Sequence, residues 1–391
     1  LDWSSAVITG STLSAETGKG YFINTTSNAC TITLPASPEI GDQIVFADYA
    51  RTWATYNLII DSNGNNFQGD PDTFTVDYST AGQSLNIVYS DATKGWLPVS
   101  DDAVANAPVA PVTQKGIFAF GNTGPLTNIS SLVSSSGVIS ADVSGVGTAR
   151  QQCMSASYGG DKAIFAYGTT GSQTNIRNLV NNSGVVATDA TGAGTAKSQG
   201  AGAAYGADKA IIAFGNDGSY TNTSNLVSNS GVVGSDVTGV GSARGTCAGA
   251  GYGVGLAIIG YGYAPSRTAI TNKISSSGVV ASDTAGVGTV RGGLDCAAYG
   301  GDKAIFAYGD PASTNLVSNT GVVAANVTSV GTYPREGIGA TNYGGDKAIF
   351  FAGSGTGVSN LVSNSGVVAA DVARVGSIRQ NVTGAGYSFN A

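Results

Sequence analysis

Six basic residues recur along this chain at matched positions. Arg150, Lys197, Arg244, Arg291, Arg335 and Arg379 each follow an anchor glycine by thirteen or fourteen residues. The anchors are Gly137, Gly184, Gly231, Gly278, Gly321 and Gly366. Six cations drawn together would form a mouth able to bind acidic sugars. The same loops carry Asp142, Asp189, Asp236, Asp283, Asn326 and Asp371. Acids and bases then nearly balance, leaving little net field to steer an anion. The favoured reading pairs each cation with its own loop's carboxylate and with backbone carbonyls.

A second set of residues varies from copy to copy. After each Lys-Ala-Ile-Phe-Ala-Tyr-Gly type of segment lies a stretch carrying Arg177 in the second copy and Asp217 and Tyr220 in the third. The fourth copy carries Tyr263 and Arg267, and the fifth Asp310. Variation gathered on one face of a repeat array is the usual layout of a binding surface. Sugars need an aromatic ring for their apolar C–H face and planar polar groups for their hydroxyls. Tyr220, Tyr263 and Arg267 supply both, so we expect them to share one groove, with Arg177 and Asp310 as further ligand-binding candidates.

Enzymatic signals are weak. The chain has no histidine, which removes serine and cysteine triads and the usual zinc and copper centres. Cys30, Cys153, Cys247 and Cys296 form no CxxC and read as small buried hydrophobes. Gly239 to Arg244 has a passing similarity to a phosphate loop but lacks the Gly-Lys-Ser/Thr ending. Paired carboxylates remain able to cleave a polysaccharide, since a glycosidase needs only two acids at the right separation. We expect no enzyme, no cofactor and no metal.

Short strands must position these residues. Self-similarity with a period of about 45 residues marks a solenoid, a propeller or an array. Each copy divides into four strands. The first is rich in small residues and ends at a tyrosine (Tyr158, Tyr205, Tyr252, Tyr299, Tyr343 or Tyr387). A tight Gly-Asp turn leads to the second, a longer loop to the third, and an Asn-Ser-Gly turn to a fourth strand, Val-Val-Ala. One strand per copy with only small side chains fits strands converging on an axis, and not a linear stack. The first copy begins at Lys115 with no tyrosine strand before it, and the last ends in a tyrosine strand at Gln380 to Tyr387 with nothing after it. That strand should therefore complete the first sheet and close a six-bladed β-propeller at 115–391.

Residues 1–102 contain no copy. Thr31–Leu34, Gln43–Phe46, Asn57–Ile60, Thr73–Val76 and Leu85–Tyr89 read as strands of a small all-β, sandwich-like module. Residues 103–114, with two prolines among small residues, read as a semi-rigid linker. A net charge of −7 without basic runs argues against nucleic acid. No apolar run is long enough to cross a membrane as a helix. The chain begins at Leu1 without an initiator methionine or a signal-peptide pattern, so we expect a fragment or a processed product.

Gly-Gly-Asp-Lys-Ala-Ile-Phe-Ala-Tyr-Gly (300–309) resembles the double-glycine strand signature of kelch propellers, and Thr332-Tyr-Pro-Arg335 resembles that family's Pro-Arg segment. The family's tryptophan in the outermost strand is missing and the copies are shorter. The Asn-Ser-Gly-Val-Val and Gly-Val-Gly-Thr-Ala-Arg wording is similar to distal repeats of tail fibres from tailed bacteriophages, especially those infecting cyanobacteria. Gly20-Tyr-Phe-Ile-Asn-Thr-Thr-Ser and Asn57-Leu-Ile-Ile-Asp-Ser-Asn-Gly64 are similar to a module of such fibres. The resemblance implies an extracellular virion protein that recognises a host-surface glycan or outer-membrane receptor. It also implies assembly with other tail-fibre or baseplate proteins, as a homotrimer built through the N-terminal region. The alternatives are a non-binding spacer of a virion or bacterial surface fibre and, third, a polysaccharide depolymerase.

Overall fold

The computed structural model describes residues 1–72, 76–101, 114–373 and 376–388. Every regular element among them is a β-strand, and the described residues contain no helix. The chain divides into two compact units, Leu1–Val109 and Ala110–Ala391. The expected linker, 103–114, lies outside the described residues except for Gln114. That residue is buried, and its carbonyl accepts the Gly344 N–H at 2.9 Å.

In the first unit β1 (Asp2–Trp3), β2 (Thr12–Ser14), β3 (Lys19–Ile23), β4 (Cys30–Thr33), β5 (Gln43–Asp48) and β6 (Leu58–Asp61) alternate between two sheets. β7 (Val76–Tyr78) stays in the second sheet, and β8 (Ser84–Asp91) and β9 (Gly95–Ser100) return to the first. The orders are β1-β3-β5-β8-β9 and β2-β4-β6-β7. The first three strands of each sheet pair in parallel and the later ones antiparallel. Period-two burial is clear in β8, where Leu85, Ile87 and Tyr89 point inward. One apolar cluster gathers these with Ile32, Phe46 and Ile60. Alternation marks which face of a strand is buried and not which strand it pairs with, so the parallel winding was not foreseen. The expected strand at Thr73–Val76 falls largely outside the described residues.

The second unit consists of six small antiparallel sheets. β10 (Lys115–Ala119) and β11 (Ser130–Val133) begin the first sheet, and β12 (Met154–Tyr158), β13 (Lys162–Ala166), β14 (Ile176–Val180) and β15 (Ala190–Thr191) form the second. The third is β16 (Ala201–Tyr205), β17 (Lys209–Asn216) and β18 (Tyr220–Val227). The fourth is β19 (Ala248–Tyr252), β20 (Leu256–Gly260) and β21 (Thr271–Ile274). The fifth is β22 (Asp295–Tyr299), β23 (Lys303–Tyr308) and β24 (Ser313–Val317). The sixth is β25 (Gly339–Tyr343), β26 (Lys347–Phe351), β27 (Val358–Val362) and β28 (Val372–Ala373). Finally β29 (Thr383–Tyr387) returns to β10, with Lys115 opposite Tyr387 and Ala119 opposite Thr383, completing the first sheet as expected.

The expected fourth strand, Val-Val-Ala, is not a strand in any sheet. Its second apolar residue makes one isolated bridge to the third strand, as in Val186 to Val180 and Val233 to Val227. The next backbone carbonyl is then taken by a side chain: Asn178 Nδ2 donates to the Ala187 carbonyl at 3.0 Å, and Asn225, Asn272, Asn315 and Asn360 repeat the bond. A side-chain amide that satisfies the edge locally removes the need for a ladder.

Burial explains the remaining pattern. The middle strand of each sheet is apolar on both faces because each face packs on a neighbouring sheet. Five core clusters each join two consecutive sheets, and a sixth joins Phe118 and Val133 of the first sheet to Ile349 and Phe351 of the sixth. The tyrosine-ending strands follow the same cyclic succession, β12, β16, β19, β22, β25, β29 and back to β12. They approach so closely that a Cβ on Gly202 would stand 2.2 Å from the Ser155 carbonyl oxygen. Each terminal tyrosine lies against the turn glycine of the following sheet. At Gly278, with φ of +85°, a Cβ would be 2.8 Å from the Tyr205 ring. The recurrent tyrosine and the recurrent anchor glycine are thus two halves of one contact.

Candidate functional site

The recurrent cations are buried, not presented at a mouth. Arg150, Lys197, Arg244, Arg291, Arg335 and Arg379 are all fully buried. Arg150, Arg244, Arg291 and Arg335 lie 3.9 to 4.0 Å above the rings of Phe120, Phe214, Tyr261 and Tyr308. Arg150 Nε donates to the Tyr167 carbonyl at 2.8 Å, and Arg244 Nε donates to the Tyr261 carbonyl at 3.0 Å. Lys197 sits 5.3 Å from the Tyr167 ring, and burial, only partly offset by Asp236, pulls its pKa down to about 8.

The pairing with backbone carbonyls holds, but the carboxylate is not the cation's own. Asp189 accepts the Thr148 N–H and hydroxyl (3.0 and 2.6 Å) across the boundary to the preceding copy, together with Asn178 Nδ2 at 2.9 Å. Asp236 receives Thr195, Asp283 receives Ser242, and Asp371 receives Thr332 in the same way. Burial works against the charge of Asp189. The bonds from Thr148 and Asn178 and the Arg150 charge outweigh it and leave the carboxyl below its usual range. Asn326 fills the role as an amide, with Nδ2 donating to Thr289 at 2.6 Å. Asp142 receives the Ser377 N–H at 2.6 Å, tying the last copy to the first. These groups are braces between copies.

The variable segments and the Asp-to-Arg loops meet at one end of the sheets, as their antiparallel connections require. Backbone bridges join them, among them Asn122 with Gln380, Gln151 with Thr169, Ser198 with Asn216, Gly245 with Tyr263 and Gly292 with Asp310. Here three of the expected site residues come together. Arg267 Nε donates to the Tyr263 hydroxyl at 2.9 Å, its guanidinium lies over the Tyr263 ring at 5.7 Å, and its Nη2 pairs with the Asp310 carboxylate.

Tyr220 joins the same surface through a shared glycine. Its ring packs on Gly245, where a Cβ would be 2.8 Å away, and the Gly245 backbone pairs with Tyr263. The Tyr263 ring lies likewise on Gly292, whose backbone pairs with Asp310. Other copies carry Gln151, Ser198, Glu336 and Gln380 at this glycine position. Tyrosine in the segment and glycine opposite it therefore vary together, and the glycine makes room for the ring.

Arg177 does not join them. It lies on β14 in the second sheet, opposite Ala166 and Ala190, because the β13–β14 ladder extends further than the expected loop start. The loop after the second strand is also tighter than expected. In the fourth copy it folds back within five residues, bridging Tyr263 to Arg267.

Beside this surface opens a cavity of about 350 Å³ lined by the first residues of five of the six tyrosine-ending strands and by the residues just before all six. Tyr263 forms part of its wall, and Asp295 and Glu336 supply its charges. Asp295 accepts the backbone N–H groups of Cys296 (2.8 Å) and Ala340 (2.7 Å), and burial pushes its carboxyl up to about 7. Glu336, at the rim, is raised by desolvation and by the nearby Asp310. Sequence reasoning passed over both. Asp295 is the only charged residue in the six tyrosine-ending strands, standing where other copies have Met154, Ala201, Ala248, Gly339 and Thr383. A position-by-position comparison of copies would have found it. The four cysteines are buried and unpaired, and no cluster of metal-ligating side chains occurs among the described residues.

No protein-family model matches the chain, and no curated protein matches it significantly.

Proposed function

We propose that the second unit is a six-bladed, kelch-like β-propeller and the receptor-binding end of a phage tail fibre. In this reading it recognises a host-surface glycan and does no catalysis. The cyclic succession of core clusters and the return of β29 to β10 support the propeller. The reading of the first unit as the fibre's assembly module, giving a homotrimer on an extracellular virion appendage, rests on the resemblance of its segments. The observation that carries the recognition reading is where the copies differ. Tyr220, Tyr263, Arg267, Asp310 and Glu336, with the permissive Gly245 and Gly292, all fall on one end of the sheets and in adjoining copies. A spacer would need only the braces that all copies share. An aromatic pair with a planar guanidinium and carboxylates beside a cavity is suited to a sugar. Adsorption of the protein to host cells tests this: replacing Tyr220, Tyr263 and Arg267 by alanine should abolish it with little change in melting temperature. Full adsorption by that variant would overturn the site. No reducing ends should appear when the protein is incubated with host polysaccharide.

A further inference from the structure

We infer that the cavity beside Tyr263 selects a saccharide unit carrying a free, protonated amine, held by Asp295 and Glu336. This rests on the glycan-recognition reading and specifies the sugar class. The cavity's volume, about 350 Å³, falls at the lower end of the roughly 300–1,000 Å³ of small-molecule sites.

Around its rim runs a collar of backbone hydrogen bonds. Gln152 N–H donates to the Asn381 carbonyl (3.3 Å), Gln199 to Gln152 (3.2 Å), Thr246 to Gln199 (2.6 Å), Gly293 to Thr246 (3.2 Å) and Gly337 to Gly293 (3.0 Å). Amide side chains of the collar are tied to one another and to a neighbour. Gln199 Nε2 donates to Gln152 Oε1 at 3.3 Å, and Asn381 Nδ2 donates to Gln151 Oε1 at 2.9 Å. In the fifth and sixth sheets the collar residue is glycine, at 293 and 337, which leaves a gap in the collar's own side chains that the Glu336 and Asn381 side chains reach. Asp295 and Glu336 stand at that gap. The Glu336 side chain lies on Gly293, two residues before Asp295, where a Cβ would be 2.9 Å from it.

The charge balance at the gap is one-sided. No lysine or arginine lines the cavity. The nearby cation, Arg267, is already engaged by Asp310 and by the Tyr263 hydroxyl. Arg267 and Asp310 thus offset each other, and neither Asp295 nor Glu336 forms an ion pair among the described residues. The fold does not require an acid at position 295, since five other copies use Met, Ala, Gly or Thr there. Two backbone N–H bonds nonetheless hold its carboxylate in place at the cavity wall. The desolvated Asp295 carboxylate and the Glu336 carboxylate beside Asp310 are each unfavourable as anions without a cation, and a bound ammonium would relieve both. A glucose or an N-acetylated sugar brings hydroxyls but no positive charge.

Isothermal titration of the full chain near neutral pH with glucosamine, N-acetylglucosamine and glucose tests the inference. Glucosamine should bind at least about tenfold more tightly than the other two, a difference of about 1.4 kcal/mol. D295N and E336Q should each bring it down to the level of glucose while melting cooperatively like the wild type. Equal affinities for the three sugars, no measurable glucosamine binding, or a preference that survives in both variants would each overturn the proposal. Host-cell adsorption that survives in D295N/E336Q would also overturn this site, while the recognition reading would stand on the Tyr220–Tyr263–Arg267 surface.

Discussion

Arg244 is enclosed on every side. An aromatic ring lies 3.9 Å below its guanidinium, and the carbonyls of Tyr261 and Ile259 receive its N–H groups. Replacing it with methionine keeps much of the volume but leaves buried carbonyls without donors. We expect a loss of about 2–4 kcal/mol in denaturant unfolding of the full chain, combining the cation–π and hydrogen-bond contributions. Asp295 has a different signature. Its folded pKa is raised to about 7 from an unfolded value near 3.8, so the folded state holds a proton the unfolded state releases. Its stabilising contribution is complete below about pH 4 and is lost as pH rises through 7. Melting temperatures of the wild type should therefore fall more steeply between pH 4 and 7.5 than those of Asp295→Asn. Parallel curves would contradict the assignment. The recurrent cations were legible from spacing alone, because a brace used six times leaves a periodic trace. Their carboxylate partners were assigned one copy out of place, since Thr148 and Asp189 meet across a boundary that a linear repeat cannot display. Asp295 and Glu336 occur once each, and periodicity averages such residues away.

At the level of elements, closure depends on β29. It supplies the tyrosine-ending edge strand of the first sheet, places Val382 in the core shared with the sixth, and follows Arg379, which bonds Ile129 and Ser131 of the first copy. Removing residues 379–391 exposes the β10 edge and both flanking cores at once. Calorimetry of the truncated chain should show the repeat region's cooperative transition abolished. An unchanged transition would mean that the sheets do not depend on closure. This pairing was legible from the phase of the repeat, because a chain that starts on a second strand and ends on a first strand must join the two. The fourth strand was misread because Val-Val-Ala after a turn has strand propensity, and the competing Asn178–Ala187 bond lies nine residues away in sequence. The parallel pairing of β1 to β6 had no local signal at all.

For the whole molecule, the first unit carries an exposed aromatic pair, Trp3 stacked on Phe22 with centroids 4.6 Å apart and relative exposures of 41% and 38%. Exposed aromatic surface of this kind favours association. We predict that the full chain sediments as a trimer and that residues 115–391 alone sediment as a monomer; a trimer from the shorter polypeptide would move the contact into the repeats. The proposed site was legible only as a region: copy-to-copy variation pointed to the Tyr263–Arg267–Asp310 surface, while the cavity beside it needed six strands brought together in space. The most direct test of recognition is binding of the full chain to an array of bacterial surface glycans, run beside the Tyr220→Ala/Tyr263→Ala/Arg267→Ala variant. The account predicts a defined set of bound glycans for the wild type and none of that set for the variant. Equal binding by both proteins, or no glycan bound by the wild type, would contradict it.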